Sequence, residues 1–266
     1  MEDIFVIKAD GSRELFDENK VRTSIGRAGI GKDVADEVVA HVKSILRPDI
    51  PTGEVYSHII EFLGHQPELR FRTKYSLKRG IMDLGPAGYA FEDFIAAVLT
   101  AYGYTTKTRQ IENGVCVTHE IDVEAEKDGR RFLVECKFHN QPGSRCDVKT
   151  TLYLEARFED LSDIFDEVWL VTNTKLTSEA MTYARCKKMR VISWGYPQGD
   201  NLQTLVEGKK LYPITCLSGL SSHQKMLLLK KGIVLAKDLE SNLPQLQSLG
   251  LSKFDISHLL AEVSSL

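Results

Sequence analysis

With 266 residues, 42% of them hydrophobic and 27% charged, the chain is long enough for two or three modules, each needing its own core or a neighbour to pack on. A formal net charge of -3 rules out an overall basic field advertising nucleic acid, although carboxylates gathered for metal or fold can hide a local basic surface. Five cysteines without a CxxC pair argue against a disulfide framework and a structural zinc site and for a cytoplasmic setting; no apolar run reaches membrane-spanning length, and no signal-peptide h-region is present.

The first module is expected over residues 1–84. A strand at 4–7, a turn at Asp10-Gly11 and a short strand at 14–16 lead into helical patterns at 20–28, 32–46, 52–63 and 71–82. Lys8, Arg13 and Lys20 could surround a triphosphate, or equally form a solvated basic face. There is no Walker A loop, so a motor ATPase is not indicated.

Gly85-Pro86-Ala87-Gly88 reads as a boundary. The second module, 88–197, starts with a helix at 89–102 whose stripe is Phe91, Ile95, Val98 and Leu99. Strands at 105–110, 115–124 and 130–138 follow, then a helix at 148–161, an apolar strand at 167–172, a helix at 178–188 and a strand at 190–194. That order describes a mixed sheet flanked by helices. After a second boundary at Gly195-Tyr196-Pro197, residues 200–266 form a tail of two helix pairs, at 221–229 with 237–242 and at 243–249 with 253–263, hinged at Gly232 and Gly250.

The chemistry concentrates in His119-Glu120-Ile121-Asp122 and Val134-Glu135-Cys136-Lys137, two strand-like segments with a turn at Gly129 between them. Period two predicts Glu120 and Asp122 on one face, and Glu135 and Lys137 on one face. Asp122 and Glu135 suit a hard divalent cation, Mg²⁺ or Mn²⁺, with the Cys136 carbonyl as a third oxygen. Such a metal polarises a scissile phosphate and activates water. Lys137, a poor base while charged, is assigned electrostatic and positioning work. Glu92, one turn into the preceding helix, is a fourth candidate; Glu120 is a ligand or a flanking group, and His119 is weaker. The bland alternative is ordinary cross-strand pairing of Glu and Lys on a half-exposed strand. Cys136 shares its face with Phe132 and Val134, so it reads as a buried thiol rather than a nucleophile.

Asp122 followed by Glu135-Cys136-Lys137 resembles the D…ExK signature of restriction-endonuclease-like nucleases. Phe91-Glu92, Gly103-Tyr104, and residues 168–172 followed by 177–180 are similar to the Mrr-type branch over about 88–194. The resemblance implies a Mg²⁺-dependent deoxyribonuclease with acids at Asp122 and Glu135, an assisting Lys137, and Glu92 as the helix carboxylate. Cys136 stands where many members have glutamine, and the basic or amide group of the following helix is placed at Lys149. The segment from Val6 to Asp17 with Lys20-Val21 resembles the ATP-cone domain of ribonucleotide reductases and of the bacterial repressor of reductase genes, over about 1–82. That implies ATP or dATP as an effector contacting Lys8, Glu14, Lys20 and Thr52, and a change of homo-oligomeric state; Ala9 replaces a usual basic residue. Residues 217–233 resemble a helix-hairpin-helix module gripping DNA phosphates through backbone amides and Lys225, Lys230, Lys231 or Lys237, with a packing domain as the equal alternative.

The expected fold class is therefore α/β multidomain: a small, mostly helical ATP-cone-like domain, a central mixed-sheet α/β/α domain and an all-helical tail. The expected function is cytoplasmic Mg²⁺-dependent DNA endonuclease activity under adenine-nucleotide control, in DNA restriction or processing. The rivals are an inactive nuclease fold serving as a nucleotide-responsive DNA-binding or assembly protein, and cleavage of RNA or branched DNA.

Overall fold

The structure, a computed structural model, describes residues 4–66, 69–85 and 88–266, so Pro86 and Ala87 of the expected first boundary lie outside the described residues. The front part begins with β1 (Phe5–Ile7) and β2 (Arg13–Leu15), joined by a tight turn that Gly11 enters at φ +81°. Next come α1 (Glu18–Arg27), capped by the Asp17 carboxylate on the Asn19 N–H, and α2 (Lys32–Ile45). Then β3 (Ile50–Pro51), α3 (Thr52–Gly64), α4 (Leu69–Tyr75) and α5 (Leu77–Met82) follow. The sheet order is β2-β1-β3, with β3 parallel to β1. Val6 and Ile50 from the sheet meet Ile25, Val38, Val42, Ile59 and Leu63 from the helices in one cluster.

Two features here depart from the sequence reading. The helix expected at 71–82 is broken at Ser76, whose hydroxyl donates to the Thr73 carbonyl and competes with the helical ladder. Beyond the break, Leu77 and Ile81 of α5 leave the front cluster and join the core shared with the rest of the chain. The two-residue β3 is too short to carry a period-two signal.

The middle part runs α6 (Tyr89–Ala101), β4 (Thr105–Asn113), β5 (Thr118–Lys127), β6 (Arg130–Lys137), β7 (Arg145–Cys146), α7 (Val148–Asp160), β8 (Glu167–Thr172), β9 (Lys175–Leu176), α8 (Ser178–Cys186), β10 (Arg190–Ile192) and α9 (Leu202–Gly208). Its sheet has the order β10-β8-β6-β5-β4: an antiparallel meander of β4, β5 and β6, with β8 and β10 added in parallel through the crossover helices. β8 alternates between two cores. Trp169 and Val171 face α6, while Val168 and Leu170 face α7 and α8 through Leu154, Ala180 and Ala184. Tyr104, Phe132 and Trp169 pack together with centroids 4.7–5.7 Å apart, each pair adding about 0.5–1.5 kcal/mol beyond simple burial. The segment after Pro197, read as a polar boundary, contains α9, which starts at an Asn201 cap and buries Leu202 and Val206.

The tail consists of a 3₁₀ turn (Ile214–Cys216), α10 (Ser222–Lys230), a 3₁₀ helix (Ala236–Asn242), α11 (Leu243–Ser248) and α12 (Lys253–Ser264). Reciprocal capping boxes, Ser221 with Gln224 and Ser252 with Asp255, start α10 and α12. Gly232 does not lead straight into a helix. An extended stretch intervenes, bridged by Pro213 to Leu235. Apolar residues of the tail, of α5 and of the α6 face of the sheet share one core. α5 approaches the 3₁₀ turn so closely that any side chain at Gly80 would collide with Cys216 Sγ. Glu262, fully buried, clamps this junction by accepting from Thr73 Oγ1 at 2.6 Å and from the Ser218 and Gly219 N–H groups at 2.9 and 3.3 Å. No helix among the described residues is long and apolar enough to cross a membrane.

Candidate active site

The β5–β6 hairpin turns on Asp128-Gly129, both at positive φ (53° and 74°), the signature of a two-residue type I′ turn. That turn pairs Lys127 with Arg130, and the ladder continues in register to Val123 opposite Val134. The next pair in register is Asp122 opposite Glu135. There the ladder stops, and the Asp122 carboxylate accepts the Cys136 N–H at 2.8 Å. On the other side of β5, register places Arg109 opposite Asp122, and Arg109 adopts φ +53°, uncommon for a residue with a Cβ. Two strands thus part around Asp122, leaving a carboxylate-lined fork.

The fork disturbs the alternation expected of β5. Ile121 packs in the cluster under α7, whereas Val123 packs in the cluster under α6, so strict period two breaks at Asp122. Glu120 remains exposed, with its carbonyl held by Arg157.

Four acids and bases converge. Burial and the neighbouring Asp122 push the Glu135 carboxyl up to about 7, despite an ion pair with Arg157. Asp122 is itself raised, chiefly by burial, with Arg157 and Lys137 opposing. Glu92, buried on α6, is raised by burial and by Asp122, while Arg109 at 3.1 Å pulls the other way. Lys137 is exposed, forms no salt bridge among the described residues, and lowers both Asp122 and Glu135. Burial dominates because charged carboxylates lose water there faster than the nearby cations compensate.

Cys136 is 9% exposed and packs with Phe132 and Val134, and burial holds its thiol well above the usual range. Its N–H faces β5, and in a strand the carbonyl of the same residue points to the same neighbour. His119 lies away from the fork, bonded to Asp160 at 2.8 Å; Asp160 also accepts the Cys116 and Val117 N–H groups at the tip of the β4–β5 hairpin. Lys149 is exposed in the first turn of α7, beside Asp147. Among the described residues, no three His, Cys, Asp or Glu side chains gather as a metal cluster.

The front-module candidates also converge. Lys8, Glu14, Lys20 and Thr52 line one cavity of about 270 Å³. Lys20 and Lys8 both pair with Glu14, holding its carboxyl below the ordinary range. Tyr56 and Tyr75 stack in the same wall at 5.5 Å, and the Tyr56 hydroxyl is buried with no hydrogen-bond partner among the described residues.

Residues 4–81 match the ATP-cone domain, residues 86–206 the restriction endonuclease family of the Mrr catalytic type, and residues 212–266 the C-terminal domain of AF1548-like proteins. An uncharacterized protein of Archaeoglobus fulgidus is 39% identical over 170 residues, covering 63% of this chain and 97% of the relative. The chain belongs to the AF1548-like family. The crystal structure of AF1548, a protein of unknown function, superposes with a TM-score of 0.58 at 38% identity over 66% of this chain and 96% of that one. A transcriptional repressor NrdR of Stenotrophomonas maltophilia is 30% identical over 89 residues, 29% of this chain and 51% of the repressor. This AF1548-like chain thus carries, in order, an ATP-cone domain, a restriction-endonuclease-like domain and an AF1548-like C-terminal domain.

Two residues at the fork were missed by sequence reasoning. Arg157, rather than Lys149, is the α7 cation that reaches the acids. The signal was present: Arg157 sits three residues after Leu154 and four before Leu161, inside the buried stripe of α7, where an unpaired arginine would be costly. Arg109, held to Glu92 and to Asp93 at 2.7 Å, had no such signal, because its position depends on a left-handed residue inside a strand.

Proposed function

We propose that this AF1548-like protein is a divalent-metal-dependent DNA endonuclease whose activity answers to an adenine nucleotide. The observation that carries the reading is the open ladder at Asp122 and Glu135. Two half-buried carboxylates, both shifted toward protonation, share a site with too little positive charge. That donor set fits a hard cation: Mg²⁺ needs only one or two protein carboxylates, because waters and substrate phosphate complete its shell. Asp122, Glu135 and the Cys136 carbonyl would hold it, and it would supply Lewis acidity toward a phosphodiester. Asp122 is oriented by the Cys136 N–H, and Arg157 holds Glu135 in place. Lys137, exposed beside both acids, neutralises charge developing on phosphorus. Glu92, braced by Arg109, positions the attacking water.

The nucleotide would occupy the cavity of Lys8, Glu14, Lys20 and Thr52. The stacked Tyr56 and Tyr75 rings offer an aromatic wall there, and Lys8 and Lys20 become phosphate partners once released from Glu14. Two contacts can pass its binding onward. The tip between β1 and β2 leans on the loop after Lys137, where a side chain at Gly143 would meet the Ala9 backbone at 3.0 Å. Tyr75 of the cavity wall ends α4, which bonds the tail through Thr73 and Glu262. A second copy of the chain joining through the front module, in a reducing compartment, belongs to the same proposal.

The test is cleavage of plasmid, linear and branched DNA in Mg²⁺ or Mn²⁺, with and without ATP, by wild type and Glu135→Ala. Metal-dependent cutting by wild type, abolished in Glu135→Ala with DNA binding retained, supports the reading. Inactivity of clean wild type under every condition favours the nucleotide-responsive scaffold instead.

A further inference from the structure

A cleft of about 1180 Å³ runs from beside the carboxylate fork to the tail, larger than a typical small-molecule pocket. Asp93, Arg109, Glu120 and Asn140 form the end nearest the fork, where Arg109 pairs with Glu92. Its walls come from α5 and the residues after it on one side and from α10 on the other. Met82, Leu84, Tyr89, Met226 and Leu229 give it an apolar lining, of which Tyr89 is 58% and Met226 44% exposed. Among the described residues, four cationic side chains stand against three acidic ones. Arg79 is tied to Asp83 and Arg109 to Asp93, while Lys225 turns inward to the Thr215 carbonyl at 2.9 Å. Lys230 is the exposed cation of the α10 wall.

A wall for duplex DNA should be dense in cations and N–H groups, because a duplex presents phosphates outward. An apolar lining with an exposed tyrosine, edged by a few cations, instead matches the faces of unpaired bases together with a single backbone. Building on the nuclease reading above, we propose that this cleft seats an unpaired DNA strand, stacked on Tyr89 and gripped by Lys230, and leads it into the fork. The preferred substrate is then single-stranded DNA or the unpaired arm of a flap or bubble. Because stacking supplies much of the affinity, salt weakens binding less than it would for a duplex binder.

The test is fluorescence anisotropy of full-length protein with labelled oligo-dT and with a hairpin duplex of equal length, in EDTA so that nothing is cut. Oligo-dT is expected to bind at least about tenfold more tightly than the duplex. Loss of one base–aromatic stack in Tyr89→Ala should weaken oligo-dT binding by about tenfold, with Tyr89→Phe restoring it. Equal affinity for the two DNAs overturns the proposal, and so does an unchanged oligo-dT affinity in both Tyr89→Ala and Met226→Ala. Cleavage in Mg²⁺ is read separately on the same preparations. Protein that cuts duplex with no effect of Tyr89 overturns the cleft and leaves the nuclease standing. Protein that holds oligo-dT through Tyr89 but cuts nothing supports the cleft and removes the nuclease.

Discussion

Removing Arg157 isolates what the fork requires. The guanidinium is 8% exposed and pairs with Glu135, whose side chain is 19% exposed, so Arg157→Met breaks an ion pair with little access to water. Loss of one partner from such a pair costs up to about 3–5 kcal/mol while the remaining charge stays ionised, so the comparison is made about two pH units above the value near 7 to which Glu135 is already pushed. Asp122 adds to the penalty here by repelling the orphaned Glu135. Equilibrium denaturation in EDTA, following the middle domain, measures the loss. Two further arms make the argument specific. Arg157→Met combined with Glu135→Gln should recover most of the stability, because no charge is left stranded. In saturating Ca²⁺ the single variant should regain stability, about 2.7 kcal/mol when free cation is a hundredfold above its Kd. A cost below about 1 kcal/mol, or a double variant no better than the single, would refute the claim that the acids are short of positive charge.

Three other outcomes follow from the geometry. Lys8→Ala should weaken ATP binding about tenfold by calorimetry, the scale of one lost charge-assisted contact; unchanged affinity would make the front cavity a packing surface. Glu262→Gln, which removes the charge gathering Thr73, Ser218 and Gly219, should cost about 1.5–3 kcal/mol in urea denaturation and loosen the front part from the tail, seen as faster hydrogen exchange in α4 and α12. Asp160, lowered to about 2 by His119 and two backbone N–H groups, contributes stability that is fully present above its unfolded value near 3.8 and fades as pH falls toward 2. Asp160→Asn should therefore be less stable than wild type at pH 7, with the gap closing near pH 2; a gap independent of pH would refute that assignment.

Much of the fork could be read from local chemistry. Gly129 marks the hairpin, and once Asp128-Gly129 takes a two-residue turn, register alone sets Asp122 opposite Glu135. The apolar strand at 167–172 and the stripe of α6 were equally visible, since both are strongly periodic. What escaped depends on contacts distant in sequence. Arg157 meets Glu135 only because the crossover lays α7 over the sheet, and α5 packs on the tail through residues far along the chain from it. The opening of the ladder was hidden as well. Period-two reasoning assumes a regular strand, whereas Ile121 and Val123 bury on opposite faces. The cleft beside the fork has no sequence signature, because its walls come from α5 and α10, far apart along the chain.

The most direct measurement is anomalous diffraction from crystals of a DNA complex of Lys137→Ala grown with Mn²⁺. The account places one strong peak between the carboxylates of Asp122 and Glu135, next to a backbone phosphate. A complex with no peak there, or with those two side chains turned apart and the phosphate elsewhere, would contradict it.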